Sequence, residues 1–216
     1  RDIGSKISKG QKLWIKAKNI IPSGNMLFSK NSDRFLPNKW PSYFSKAKGI
    51  DIWDLEGKKY KDLSLMGVGT NILGYSNKIV DTSVINSIHK GNMTTLNCPE
   101  EVSLAEKLIE LHPWAKMAKF TRTGGEANAV AIRIARAYSK KDGVAICGYH
   151  GWHDWYLAAN ISDKKKLNNH LIKNLNISGV PKSLKNSVYP FRYNNFDELK
   201  KLIKDKKNIG TIKMEV

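Results

Sequence analysis

Cysteine is nearly absent: Cys98 and Cys147 are the two thiols in 216 residues. Two cysteines suggest no disulfide framework, which fits a reducing compartment. Cys147 closes the apolar run Val144-Ala145-Ile146 and is expected as a buried free thiol. No apolar run approaches the ~20 residues of a membrane-spanning helix. The N-terminal stretch also lacks a continuous apolar signal-peptide core. A cytoplasmic protein with no membrane partner is therefore expected. Acidic residues are scarce, with 19 Asp and Glu against 37 Lys and Arg, for a net charge of +18. Such an excess can serve nucleic acid or an anionic membrane. Here the basic residues are mostly lysines scattered along the chain, and they do not interleave with aromatics in one patch. With abundant asparagine, this reads as the base composition of the encoding genome, and no nucleic-acid partner is expected. The densest basic stretch, Lys200 to Lys207, reads as the solvated face of a helix. There is no internal repeat and no low-complexity segment.

An apolar fraction of 41% and six Trp argue against disorder. The length suits one sizeable core, or one domain plus part of another. The chain opens on Arg1 and stops on Val216, inside an apparent strand, so both ends are expected to be cuts. Ser8 to Ile21 has helical apolar spacing and ends at Pro22-Ser23-Gly24. The runs at Tyr43 to Ser45, Ile50 to Trp53 and Tyr60 to Leu63 predict an antiparallel meander with Gly-containing turns. Helices are predicted over Asn77 to Lys90, Pro99 to His112, Gly125 to Lys140 and Asp197 to Lys207, the last with Asp197 as its N-cap. Strands are predicted at Met117 to Thr121, Val144 to Cys147 and Ile209 to Met214. This alternation from Asn77 onward argues for an α/β fold with a mostly parallel sheet. A boundary is expected between Leu65 and Tyr75.

Two segments carry chemistry. In Lys119-Phe120-Thr121-Arg122-Thr123-Gly124-Gly125-Glu126-Ala127-Asn128, a strand runs through a Gly-Gly turn into a long helix. Glycines let a ligand approach the backbone, and the first-turn amides with the helix dipole form an anion site. Thr123 adds a hydroxyl. An ordinary tight turn capped by Thr123 fits this segment as well. The second segment, Gly148-Tyr149-His150-Gly151-Trp152-His153-Asp154-Trp155-Tyr156, follows the next strand. Both lie where parallel α/β sheets bind ligands. A Tyr there can stack on an aromatic ring, and core packing of the aromatics is the competing reading. His150, His153 and Asp154 match no attested zinc spacing, so no metal is expected. Gly67-Val68-Gly69 through Gly74 lacks the third glycine of a dinucleotide fingerprint.

Together the two segments resemble the class III aminotransferases, which use pyridoxal 5'-phosphate (PLP). The family's Ser-Gly-Thr-Glu-Ala-Asn is matched by Thr123-Gly124-Gly125-Glu126-Ala127-Asn128, and its Tyr-His-Gly by Tyr149-His150-Gly151. Trp53 to Asp62 resembles the family's N-terminal hairpin, Ile72-Leu73-Gly74-Tyr75 its Leu-Gly turn, and Met214-Glu215-Val216 the start of its Glu-Pro strand end. The resemblance covers nearly the whole chain in order and extends to the aminomutase branch acting on glutamate semialdehyde.

The resemblance implies the large domain of a fold-type I PLP transferase, incomplete in this chain. Residues 1–68 would be a helix and β-meander from the small domain, and 69–216 the first part of the PLP-binding domain. Thr123, Gly124 and Gly125 would cradle the cofactor phosphate. Tyr149 would stack on its ring with His150 beside it. Lys30 and Glu215 would belong to the substrate pocket for an amine, amino acid or carbonyl compound. A homodimer is implied for the full-length enzyme. The family's Schiff-base Lys and the acid partner of the ring nitrogen are expected beyond Val216, which would leave this chain inactive alone. Two departures matter. Gly125 removes one phosphate-binding hydroxyl, and Val68 and Lys30 stand near where the aminomutase has Trp and Arg. Lys pairs a carboxylate without the bidentate fork of Arg. A PLP-fold protein without catalysis and a basic nucleic-acid-binding module are the alternatives.

Overall fold

The structure, a computed structural model, describes residues 7–64, 66–170 and 172–215. Arg1, Leu65 and Val216, which enter the sequence reading, lie outside the described residues. The chain divides into two compact units, Arg1–Asn97 and Cys98–Val216. That division falls C-terminal of the boundary expected after position 68.

The first unit opens with α1 (Lys9–Ile20), begun by a capping box in which the Ser8 side chain accepts from the Gln11 amide. Its Trp14 and Ala17 are buried. Trp14 Nε1 donates to Asp33 Oδ1 at 2.8 Å, tying the helix to the irregular segment that follows. Three strands, β1 (Phe44–Lys48), β2 (Asp51–Asp54) and β3 (Lys59–Lys61), form the antiparallel meander in the order β1-β2-β3. Asp54 holds the β2–β3 turn by accepting from the Glu56 and Lys58 amides at 2.9 Å and from the Tyr60 hydroxyl at 3.0 Å. Gly74 (φ +89) lets the chain press against Gly49, with a Cβ there only 3.2 Å from the Gly49 Cα. Gly49 and Tyr75 then bond each other's backbone at 2.9 and 2.8 Å. The helix α2 (Lys78–Lys90) follows, capped by Asn77 and stopped at Gly91 (φ +88).

The second unit comprises α3 (Pro99–Leu111), α4 (Gly124–Ser139), β4 (Gly143–Cys147), α5 (Asp154–Leu157), β5 (Val188–Pro190), α6 (Phe196–Asp205) and β6 (Ile209–Met214). Its sheet is parallel in the order β5-β4-β6. The central strand β4 is buried throughout. Side chains alternate across a strand, so Val144 and Ile146 join Ile132 of α4, Trp155, Tyr156, Leu167 and Val188 in the main core. Ala145 and Cys147 pack on the opposite face with Phe191 and with Leu199 and Leu202 of α6. Each fully buried aliphatic chain of this kind stabilises by about 1.5–3 kcal/mol.

Three expectations need correction. Residues 117–121 form no strand. No strand among the described residues pairs with them, and Met117 is exposed, so an isolated apolar run there has no ladder to join. The N-cap of α6 is Asn195, whose side chain accepts from the Glu198 amide at 3.0 Å, while Asp197 stands inside the first turn. The short strand β5, not foreseen, pairs with β4 from Val188 to Pro190. The lysines from Lys200 to Lys207 are exposed, as a solvated helix face requires.

Candidate functional site

The start of α4 is set by Thr123, in extended conformation, whose hydroxyl oxygen accepts from the Glu126 amide at 3.1 Å. The Glu126 carboxylate turns back to accept from the Arg122 amide at 2.9 Å. Accepting uses the Thr123 lone pairs and leaves its O–H available to donate. The Gly124 and Gly125 amides belong to the first turn, where the helix itself offers no acceptor. A Cβ on Gly124 would meet open space. Positive dipole, free amides and a hydroxyl therefore converge on one exposed helix end.

The second motif lies against this helix end. Gly151 (φ +102) makes the approach: a Cβ on it would sit 3.3 Å from the Gly125 Cα. Asn128, one turn along α4, donates from Nδ2 to the His150 carbonyl at 3.3 Å. The His153 ring lies over Gly125, with Nε2 2.8 Å from the place a Cβ would take. Segments separated by more than twenty residues in the chain thus share one locality at the carboxyl end of β4.

Tyr149 is half-buried, its ring edge-to-face with Tyr156 at 5.7 Å, and burial pushes its phenol pKa up. His150 is buried, its Nε2 2.9 Å from the Cys147 carbonyl. A carbonyl only accepts, so Nε2 carries the proton. The ring stacks on Trp155 at 6.3 Å and meets Tyr156 edge-on at 6.0 Å. Burial, and secondarily the Lys213 charge, lower the His150 pKa, favouring the neutral ring. Cys147 is a buried free thiol held protonated by burial and by the charges of Glu215 and Glu198. Glu215, just past β6, donates its amide to the Cys147 carbonyl at 3.0 Å. Its carboxylate flanks Gly148, where a Cβ would come within 2.6 Å of Oε2. Tyr156 donates to the Gly148 carbonyl at 3.2 Å.

Thr123, Gly124, Gly125, Tyr149 and His150 are therefore brought together, with Glu215 at the neighbouring strand end. Lys30 belongs to the other unit, exposed at the end of a short 3-10 turn, Phe28–Lys30. Sequence reading missed His170, whose Nδ1 stands 3.4 Å from the Tyr156 hydroxyl and whose Nε2 is 3.4 Å from the Phe191 carbonyl. It lies in an irregular stretch without motif or periodicity, so no local signal marked it. Among the described residues, no group of three or more His, Cys, Asp or Glu could hold a metal ion. No helix among them is long and apolar enough to cross a membrane.

The arrangement suits a phosphorylated ligand with an aromatic ring: amides and hydroxyl for the phosphate, an aromatic wall from the next loop, a carboxylate at the strand ends. The family described as aminotransferase class-III matches residues 37–213. The chain is 33% identical over 204 residues to the 3-aminobutyryl-CoA aminotransferase of Cloacimonas acidaminovorans, covering 94% of this chain and 45% of that protein. It is 32% identical over 207 residues to the glutamate-1-semialdehyde 2,1-aminomutase of Methanobrevibacter smithii, covering 94% and 46%. The chain thus spans about half the length of the curated relatives it matches. Among solved structures, an omega-transaminase from Sphaerobacter thermophilus superposes with TM-score 0.79 at 25% identity, over 100% of this chain and 48% of that one. The FumI protein of Sphingopyxis sp. MTA144, in its PLP internal aldimine form, superposes with TM-score 0.76 at 25% identity, over 94% and 45%. The parallel β5-β4-β6 sheet with its flanking helices is part of the fold-type I architecture of these transaminases. With the family pattern running through the meander, the α4 helix start and the β6 strand, the chain belongs to the class-III aminotransferase family.

Proposed function

We propose that this chain contributes the phosphate-binding and ring-facing part of the active site of a PLP-dependent aminotransferase or aminomutase. The observation that carries the proposal is the packing of Gly151 onto Gly125, which joins the two motif segments at the start of α4. In this reading the Gly124 and Gly125 amides and the Thr123 hydroxyl hold the phosphate, whose charge the α4 dipole favours. Tyr149 lies against the cofactor ring. His150, bonded through Nε2 to the Cys147 carbonyl, braces the loop that carries Tyr149. Glu215, at the neighbouring strand end, orients the substrate. Bound PLP supplies an electron sink that lets an amino group pass between carbon centres. No lysine here stands in the family's Thr-x-x-Lys context, so none is assigned to carry the cofactor.

The substrate class is an amine, an amino acid or its carbonyl counterpart, in keeping with relatives named for 3-aminobutyryl-CoA and glutamate 1-semialdehyde. We further propose residues 1–68 as small-domain and 69–216 as PLP-domain sequence, and a cytoplasmic homodimer as the working enzyme. No nucleic-acid or membrane partner is proposed.

PLP titration of the full protein carrying this sequence, followed by tryptophan quenching, tests the reading. Saturable binding that inorganic phosphate competes away is expected, while residues 1–216 alone give no transamination. Absence of saturable PLP binding by the full protein overturns the proposal. Turnover by residues 1–216 alone overturns the assignment of no cofactor-carrying lysine.

A further inference from the structure

Gly125 stands where the resembling family carries a hydroxyl side chain, and the space of that side chain is not empty. A Cβ on Gly125 would meet His153 Nε2 at 2.8 Å and Cδ2 at 3.0 Å. At 2.8 Å one of the two must shift, so the imidazole occupies the volume a residue-125 side chain would take. The backbone that carries the ring is fixed. His153 is the N-cap of α5, and its carbonyl accepts from the Tyr156 and Leu157 amides at 2.9 and 3.1 Å. Gly151 lays the same loop on Gly125, and the Trp152 ring flanks the imidazole at a centroid distance of 5.0 Å. Among the described residues no hydrogen bond to the His153 ring is formed, so its nitrogens remain available.

We propose that His153 replaces the missing residue-125 side chain as a donor to the phosphate at the start of α4, making Gly125 and His153 a compensating pair. The inference rests on the PLP reading above and deepens it. A phosphate accepts only, and Nε2–H can donate in the neutral ring or the imidazolium. The ring adds to the amides a contact that a threonine hydroxyl would otherwise supply, and Gly125 is required because any larger residue would displace it.

The test uses the full protein and compares dissociation constants for PLP and for pyridoxal, which lacks the phosphate. For His153→Ala, PLP binding should weaken about tenfold, the scale of one lost hydrogen bond to a charged group. Pyridoxal binding should stay within about twofold if that lost contact is to the phosphate alone. His153→Gln, which keeps a donor, should recover part of the loss. Gly125→Thr alone should weaken PLP binding, because the new side chain runs into the ring. The double variant Gly125→Thr/His153→Ala should return close to wild-type affinity. Thermal melting monitors folding of each variant. Equal weakening for PLP and pyridoxal in His153→Ala, or no change in either, overturns the phosphate role. Failure of the double variant to recover overturns the exchange of side chains. Wild-type protein that binds no PLP would instead sink the functional reading itself.

Discussion

Tyr149 and His150 are neighbours with different environments. The tyrosine is half-buried at the site, whereas the histidine ring is enclosed by Trp155 and Tyr156 and donates to the Cys147 carbonyl. Its lowered pKa makes it a pH liability. When a folded-state pKa lies below the unfolded value of 6.5, the unfolded chain binds more protons between the two. Stability is then full above pH 6.5 and falls as pH drops from there toward the folded value. His150→Ala should cost about 3 kcal/mol at pH 7.5 through a lost hydrogen bond and a cavity. It should also flatten the decline in urea midpoint between pH 7.5 and pH 5.5. An unchanged acid slope in the variant would show that other groups govern it. The residue types of the site were legible because glycines and a hydroxyl at a helix start have few roles. The enclosure of His150 was not, since burial depends on Trp155 and Tyr156 folding back over it. His170 was likewise invisible because its partners Tyr156 and Phe191 are distant in sequence.

Elements were legible in proportion to their caps and periods. Ser8, Asn77 and Thr123 cap helices whose apolar spacing already marks them, and those helices lie where expected. The three-residue β5 has too little length for a period and ends in Pro190, a weak strand signal. Residues 117–121 have strand composition without a described strand to pair with, so local composition overstated them. The α4 start and the Gly148-to-Asp154 loop form one structural joint, and Gly151 is its hinge pin. Its φ of +102 is a conformation that L side chains rarely adopt, and an added Cβ would press to 3.3 Å from the Gly125 Cα. Gly151→Ala should therefore destabilise by about 1–3 kcal/mol, the range for strained backbone. It should also weaken phosphate-dependent PLP affinity, because the loop must lift from the helix start. Circular-dichroism melts paired with PLP titration check this. A full-affinity variant with normal melting would mean the loop tolerates the shift and does not govern the site.

At the scale of the whole molecule, two surface properties oppose each other. The charge of +18 favours solubility through mutual repulsion. Against it stand exposed apolar side chains: Ile79, Val84, Ile85 and Ile88 on α2, Val102 and Leu111 on α3, and Trp114 and Met117 beyond it. Neither α2 nor α3 contains a buried residue among those described. Each unit thus carries exposed apolar side chains on a helix face, and exposed apolar surface of this kind favours association. The parallel sheet also has β5 and β6 at its edges among the described residues, and unpaired strand edges template association. Repulsion between scattered lysines is screened over ~8 Å at physiological ionic strength, while apolar attraction is not. Residues 1–216 produced alone should therefore bind the dye ANS at neutral pH and scatter light increasingly as salt rises from 20 to about 500 mM. Charge-to-alanine changes on the α6 lysines should hasten the scattering, and Ile85→Lys with Ile88→Lys on α2 should suppress it. A salt-insensitive monomer with no ANS signal would mean that these helices bury their apolar faces in solution, contrary to the arrangement described.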